Sequence, residues 1–192
     1  MSRDASSTSL SDRLKRQGAT RRGLLGLGAA GLLGLTGCGF RPLYGEQGSL
    51  NSNSPVSAEL AAVEVANVPE RRGQLLRRAL RERLWAGGQA SPRYTLTTSL
   101  QIGTEPEGYR TDGLPTRVRY TVNASWWLVT RDAQPQIVLN GTERAVDAFN
   151  IPDNQFFAGD ASSEAMMARL MERLADDIVT RLAVELQERS AV

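Results

Sequence analysis

Alternation of apolar and polar positions is cleanest at residues 94–102. Tyr94, Leu96, Thr98, Leu100 and Ile102 fall on one face there, and Thr95, Thr97, Ser99 and Gln101 on the other. A period of two marks a half-buried strand. A longer run at residues 117–131 sends Val118, Tyr120, Val122, Ala124, Trp126 and Leu128 inward. Arg117, Arg119, Thr121, Asn123, Ser125 and Trp127 point outward. At ~3.3 Å per residue this run reaches about 50 Å, which predicts a bulge or a projecting hairpin end. The polar stretch 103–115 between the two, with Pro106, Gly108 and Asp112-Gly113, predicts a connection. Residues 132–135 turn the chain, and 136–149 predict a third antiparallel strand, weakened at Asn140-Gly141. Upstream, the apolar stretch 56–68 contains the alternating residues 62–68, a strand ended by Pro69.

Two segments carry helical periodicity instead. In residues 70–86, Leu76, Leu80 and Leu84 recur every fourth position and Gly87-Gly88 supplies the stop. Six arginines (71, 72, 77, 78, 81 and 83) line this helix, interrupted by Glu70 and Glu82, as on a solvated outer face. Residues 152–160 predict a loop presenting Phe156-Phe157. The last helix is expected from Ser162 or Ser163 to about Gln187, with Met167, Leu170, Met171, Leu174, Ile178, Leu182 and Leu186 as its core stripe. Asp176-Asp177 are helix neighbours about 100° apart, so their oxygens do not converge on a metal. Strand, helix, long antiparallel strands, helix is an α+β order. It predicts a mostly antiparallel sheet of about four strands with two helices packed on one face. The opposite sheet face would be polar.

The N-terminal region follows a different logic. A polar stretch closes on Arg21-Arg22, and residues 23–35 carry no charge. That is the arrangement of an export signal, too short to span a bilayer as a helix. The run ends in Leu35-Thr36-Gly37-Cys38, which resembles the lipobox of bacterial lipoproteins. The resemblance implies cleavage before Cys38 and acylation of its thiol by diacylglycerol, with a further N-acyl chain such as palmitate. Dozens of methylenes at ~0.8 kcal/mol each make such an anchor nearly permanent. Thr20-Arg21-Arg22-Gly23-Leu24-Leu25 resembles a twin-arginine export motif and equally fits the positive start of an ordinary signal. The expected organisation is a signal peptide over 1–37, a lipidated tether over 38–55 rich in Gly, Ser, Asn and Pro, and one domain over 56–192.

Cleavage before Cys38 removes 37 of the 192 residues, leaving 155, enough for one domain. Of 23 basic and 21 acidic residues, six and two lie in the leader, so the mature part has 17 against 19, or −2. The whole-chain charge of +2 is therefore no sign of a nucleic-acid partner, and none is expected. The chain has no histidine and one cysteine, which excludes Ser-His-Asp triads, Cys-His pairs and Cys/His zinc sites. Glu143 and Asp147 leave carboxylate chemistry formally open, at a spacing with no signature value. No enzyme activity, metal or cofactor is expected beyond the covalent lipid on Cys38.

The residues after the lipobox carry a family likeness. Cys38-Gly39-Phe40-Arg41-Pro42-Leu43-Tyr44 resembles the mature opening of the LPS-assembly lipoprotein family, LptE. Further similarity lies in Arg72-Gly73-Gln74-Leu75-Leu76, in Ala148-Phe149-Asn150, in Phe156-Phe157-Ala158 and in the Ala175–Ile178 stretch of the last helix. The resemblance implies a lipoprotein in the inner leaflet of the outer membrane, facing the periplasm. It implies a plug inside LptD, the β-barrel LPS translocon, which helps that barrel assemble and lipopolysaccharide reach the surface. Gly39 in place of Asp after the lipidated cysteine agrees with outer-membrane sorting. The family is also associated with binding LPS, whose phosphates suit the bidentate arginine fork. Candidate contacts are Arg110 in the connection and Arg117 and Arg119, on one strand face about 7 Å apart. Arg117 and Arg119 are equally placed to pair across strands with Glu or Asp, or to meet the barrel wall. An accessory lipoprotein of another, ABC-type envelope lipid transporter shares the anchor and the α+β composition without the CGFRPLY opening.

Overall fold

The computed structural model describes residues 54–153 and 155–190. The elements are α1 (Pro55–Ala61), β1 (Val63–Val65), α2 (Glu70–Leu84), β2 (Tyr94–Tyr109), β3 (Pro115–Thr130), β4 (Ile137–Asn150) and α3 (Phe156–Ser190). They form a four-stranded sheet in the order β1-β2-β3-β4. β1 runs parallel to β2 and the rest is an antiparallel meander. The α+β architecture therefore stands as expected, with a short third helix added.

The apolar stretch before Pro69 divides differently from the sequence expectation. Ser54 accepts a hydrogen bond from the Ser57 N–H at 3.0 Å and Pro55 takes the first helical position, so helix starts at the last residue of the expected tether. Val56 and Leu60, one turn apart, are both buried. Only Val63–Val65 remains as strand, extended by Ala66 N–H to Leu96 O at 2.9 Å.

β2 runs on to Tyr109 instead of ending at Ile102, and only residues 110–114 turn. Pro106 survives inside it for a topological reason. Tyr94 and Leu96 direct their backbone groups toward β1, through Tyr94 N–H to Ala62 O and Leu96 O from Ala66 N–H. Even-numbered residues of β2 thus face away from β3, and the missing N–H of Pro106 costs no bond of the β2–β3 ladder. α3 begins at Phe156, so the expected loop 152–160 shrinks. Gly159 N–H already bonds Gln155 O at 3.0 Å, since adding turns to an existing long helix is cheap once nucleated. Ser162 and Ser163 are mid-helix residues, not caps.

The core lies between the inner sheet face and the two long helices. Leu76, Leu80 and Leu84 from α2, Met167, Leu170, Met171, Leu174, Ile178, Leu182 and Leu186 from α3, and Leu96, Val122, Ala124, Trp126 and Leu128 from the sheet are all buried. Arg83 forks onto the Asp176 carboxylate, with Nη2 to Oδ2 at 3.0 Å, and Arg71 reaches Glu164 at 2.9 Å. Part of the arginine face of α2 is therefore an interhelix seam rather than free surface. Arg81 stacks over the Trp85 ring at 4.9 Å. No helix among the described residues is long and apolar enough to cross a membrane.

Candidate functional site

Among the described residues, no helix lies over the outer sheet face. Burial alternates along β3: Val122, Ala124, Trp126 and Leu128 are buried, while Thr121, Asn123, Ser125 and Trp127 are partly exposed. β4 adds Asn140, Thr142 and Arg144, all exposed, and Thr142 Oγ1 lies 3.3 Å from Ser125 Oγ across the strands. The result is a hydroxyl- and amide-rich plane, as the alternation predicts.

At the far end of this plane the β2–β3 hairpin runs beyond the helices. α2 begins beside Thr98 and Ile102, and Gly103, Thr104, Glu105 and Pro106 are exposed on both faces. The candidate arginines gather here in two groups. Arg117 and Arg119 share Glu107 of the opposite strand. Arg117 Nε is 3.3 Å from its Oε2, and Arg119 Nη2 reaches Oε1. Register explains the pairing, because Glu107 stands opposite Arg117 and Glu105 opposite Arg119. Each arginine side chain keeps about half its surface, 51% and 48%. Arg110 belongs to the turn instead. Its Nη2 bonds Asp112 Oδ2 at 3.0 Å and its Nη1 bonds Asp153 of the β4–α3 connection. Arg110 and the other two thus lie on one end of the sheet, but each is ion-paired. Arg21, Arg22, Leu35, Thr36, Gly37 and Cys38 lie outside the described residues.

Two features of this end escape a reading of the residues alone. Glu107 and Asp153 become partners only once the hairpin register and the return of β4 are known, although the cross-strand alternative pointed toward the first. Arg144, with no acidic partner among the described residues, joins the same outer face opposite Asn123. Beneath the tip, Tyr120 and Phe149 pack with ring centroids 6.1 Å apart.

The turn is held by electrostatics that titrate. The Leu114 N–H, 3.0 Å from Oδ1, and then the Arg110 guanidinium hold the Asp112 carboxyl below the usual carboxylate range. A carboxyl depressed in the folded chain contributes stability above its unfolded value and loses it as pH falls through the folded one. The Leu114 amide resonance is therefore expected to shift at a lower pH than exposed carboxylates titrate, and to stop titrating in Asp112→Asn. A midpoint in the ordinary carboxylate range would remove Asp112 as the pin.

The carboxylates considered for catalysis are engaged separately. Asp147 takes Arg169 Nη2 at 3.0 Å, and Glu143 lies 4.0 Å from Arg181 Nη1. Each faces its own arginine of α3 rather than the other acid. Among the described residues no cluster of three or more His, Cys, Asp or Glu side chains is placed to hold a metal ion.

Solved structures of several lipoproteins resemble this chain to different degrees. A lipoprotein from Caulobacter crescentus CB15 superposes with a TM-score of 0.58 at 24% identity, over 71% of this chain and 98% of that one, and shows the same fold. Rare lipoprotein B from Shewanella oneidensis aligns at 11% identity and a TM-score of 0.48, over 67% of this chain and 97% of that one. A minor lipoprotein from Acinetobacter baumannii aligns at 14% identity and 0.47, over 64% and 89%. No curated protein sequence matches the chain. The LptE family profile, described as Lipopolysaccharide-assembly, matches residues 60–182, from the end of α1 into the last turns of α3. On that match, which takes in the whole sheet, α2 and most of α3, the chain belongs to the LptE family of lipopolysaccharide-assembly lipoproteins.

Proposed function

We propose that this chain is an outer-membrane lipoprotein, lipidated on Cys38 and facing the periplasm. It seats as a plug in the LptD barrel, helps that barrel assemble and supports LPS insertion at the cell surface. The observation that carries the reading is the outer sheet face, which no described helix covers, a plane of hydroxyl, amide and guanidinium groups beside an apolar core. Barrel interiors are polar and wet, and such a face satisfies their hydrogen bonds where an apolar one does not. Co-purification of a large heat-modifiable barrel with the full-length protein supports the plug. Recovery of inner-membrane or shuttle proteins in its place supports the transporter accessory.

Direct LPS contact belongs to the same proposal, at Arg110, Arg117 and Arg119. Arg110→Ala also releases the turn, so the informative variants are at the other two and at Glu107. A phosphate must compete with Glu107 for the guanidinium groups of two half-exposed side chains. Arg117→Ala with Arg119→Ala is expected to weaken LPS binding about tenfold or more. Glu107→Gln removes the competitor and is expected to tighten binding about two- to fivefold. A double alanine variant with full affinity in LPS pull-down, or an inert Glu107→Gln, sinks the contact while leaving the plug untouched.

A further inference from the structure

β4 is the last strand of the sheet, and its far side pairs with no other strand among the described residues. Successive residues of an antiparallel strand direct their N–H and C=O groups alternately toward the neighbour and away. Two far-side bonds set the phase. Val146 O accepts from Arg173 Nη1 at 3.4 Å, and the Ala148 N–H donates to the Asp147 carboxylate at 2.8 Å. Even-numbered residues therefore face outward, and the backbone groups of Asn140, Thr142 and Arg144 line the open edge.

Proteins usually blunt such an edge with proline, lysine, a bulge or a covering segment. Here the one bulge lies at the start of the strand, by Leu128/Val129, and Arg173 crosses only at Val146. No proline or lysine occurs in Ile137–Asn150. Among the described residues, nothing else covers the stretch between, which leaves a template for a further strand.

A trough runs beside that template. Its wall is one stripe of α3, Asp177, Arg181, Val184 and Glu188, at steps of four, three and four; its floor is Leu139 and Glu143 of β4. Arg181 is taken up by Glu185 at 2.9 Å and by Glu143. Asp177 and Glu188 have no cationic partner among the described residues and stand about 16 Å apart by helix rise. Val184 lies between them, 36% exposed. The trough is thus net acidic, with Glu143, Asp177, Glu185 and Glu188 against Arg181 and Arg189, and Val184 is its exposed apolar residue.

We infer that the β4 edge docks an extended segment of another protein as a fifth strand. That segment carries an apolar side chain flanked, two residues to either side, by Lys or Arg on its inward face. Same-face residues lie about 7 Å apart, so two cations at this spacing reach both acids through their flexible stems. A second copy of this chain fits poorly, because the inward residues of its own β4 would bring Glu143 into an acidic trough. The inference rests on the edge and its charges alone and does not depend on the barrel reading.

The test uses the detergent-solubilised full chain and a labelled ten-residue probe with Thr at alternate positions and a central Lys-Val-Lys on the others. Saturable binding is expected, with amide exchange slowed at Asn140, Thr142 and Arg144. N-methylation of the probe along one edge should abolish binding and along the other leave it unchanged. Asp177→Lys with Glu188→Lys should weaken it about tenfold at low salt. Thr142→Pro removes an outward N–H that β3 does not use and should also abolish it; the methylated probes decide the matter if that variant fails to fold. A probe with Asp in place of Lys that binds as well, indifference to methylation on both edges, unchanged amides, self-association through β4, or equal competition by a peptide of residues 39–53 overturns the inference.

Discussion

Trp126→Ala is expected to lower the stability of the domain by about 3–5 kcal/mol, read as a shifted urea midpoint with an unchanged slope. Domains of this kind hold about 5–15 kcal/mol in all, so one truncation removes a large share. Trp126 is fully buried in β3, and its ring lies over Gly141 of β4. A Cβ at Gly141 would stand 2.5 Å from Trp126 Cζ2 and 2.8 Å from Cε2, so the glycine is the seat of the indole. Two terms oppose each other in the variant. The void costs the full truncation, whereas Trp126 Nε1 is buried without a hydrogen-bond partner, and removing it returns about 1–3 kcal/mol. The void dominates, and the result should fall toward the lower end of the range. Gly141→Ala destabilises from the other side by overpacking, about 1–3 kcal/mol. Combining the two changes lets the new methyl occupy part of the void, so the pair should cost less than the sum. Strict additivity would show that the seat is not what links these positions.

Gly73→Ala is the second change with a large expected effect, a net loss of about 1–3 kcal/mol. A glycine-to-alanine change inside a helix ordinarily gains about 1 kcal/mol. At Gly73, in the first turn of α2, a Cβ would meet Val68 Cγ1 at 2.5 Å, Val68 O at 2.7 Å and Val68 C at 2.8 Å. Two of those three are backbone atoms, in a segment tied to β2 through β1 and stiffened by Pro69. The clash cannot be relieved by a side-chain rotation, and it outweighs the propensity gain. A raised melting temperature would mean that the Val68 backbone yields, and would dismiss this account. The same contact gives a physical reason for glycine in the Arg72-Gly73-Gln74-Leu75-Leu76 segment.

Much of the sheet was legible because its strands are half buried. Tyr94 to Ile102, Val118 to Leu128 and the return through Ala145 each show one wet and one dry face, and that period survives any detail of tertiary packing. The helices were legible for the same reason, through the leucines of α2 and the Met167–Leu186 stripe. What misled were residues whose local preference another part of the chain overrode. Pro106 and Gly103 read as a connection, but the β3 ladder carries β2 through them because the proline sits with its nitrogen outward. Asn140-Gly141 read as a weakness, but the glycine makes room for Trp126. Phe156 and Phe157 read as loop, but both lie in the first turn of a helix long enough to extend through them; Phe157 does so while 91% exposed.

The site divides along the same line. Residue order alone determined the α+β architecture, the polar outer face and the placing of Arg117 and Arg119 side by side, because each depends on a repeat of two or about 3.6 positions. Only the tertiary structure decided that Glu107 lies between those two arginines, that Asp153 returns to Arg110, and that Asp177 and Glu188 overhang an open strand edge. These are encounters between segments tens of residues apart. They depend on strand register and on where a helix axis crosses a sheet, which one-dimensional periodicity does not encode.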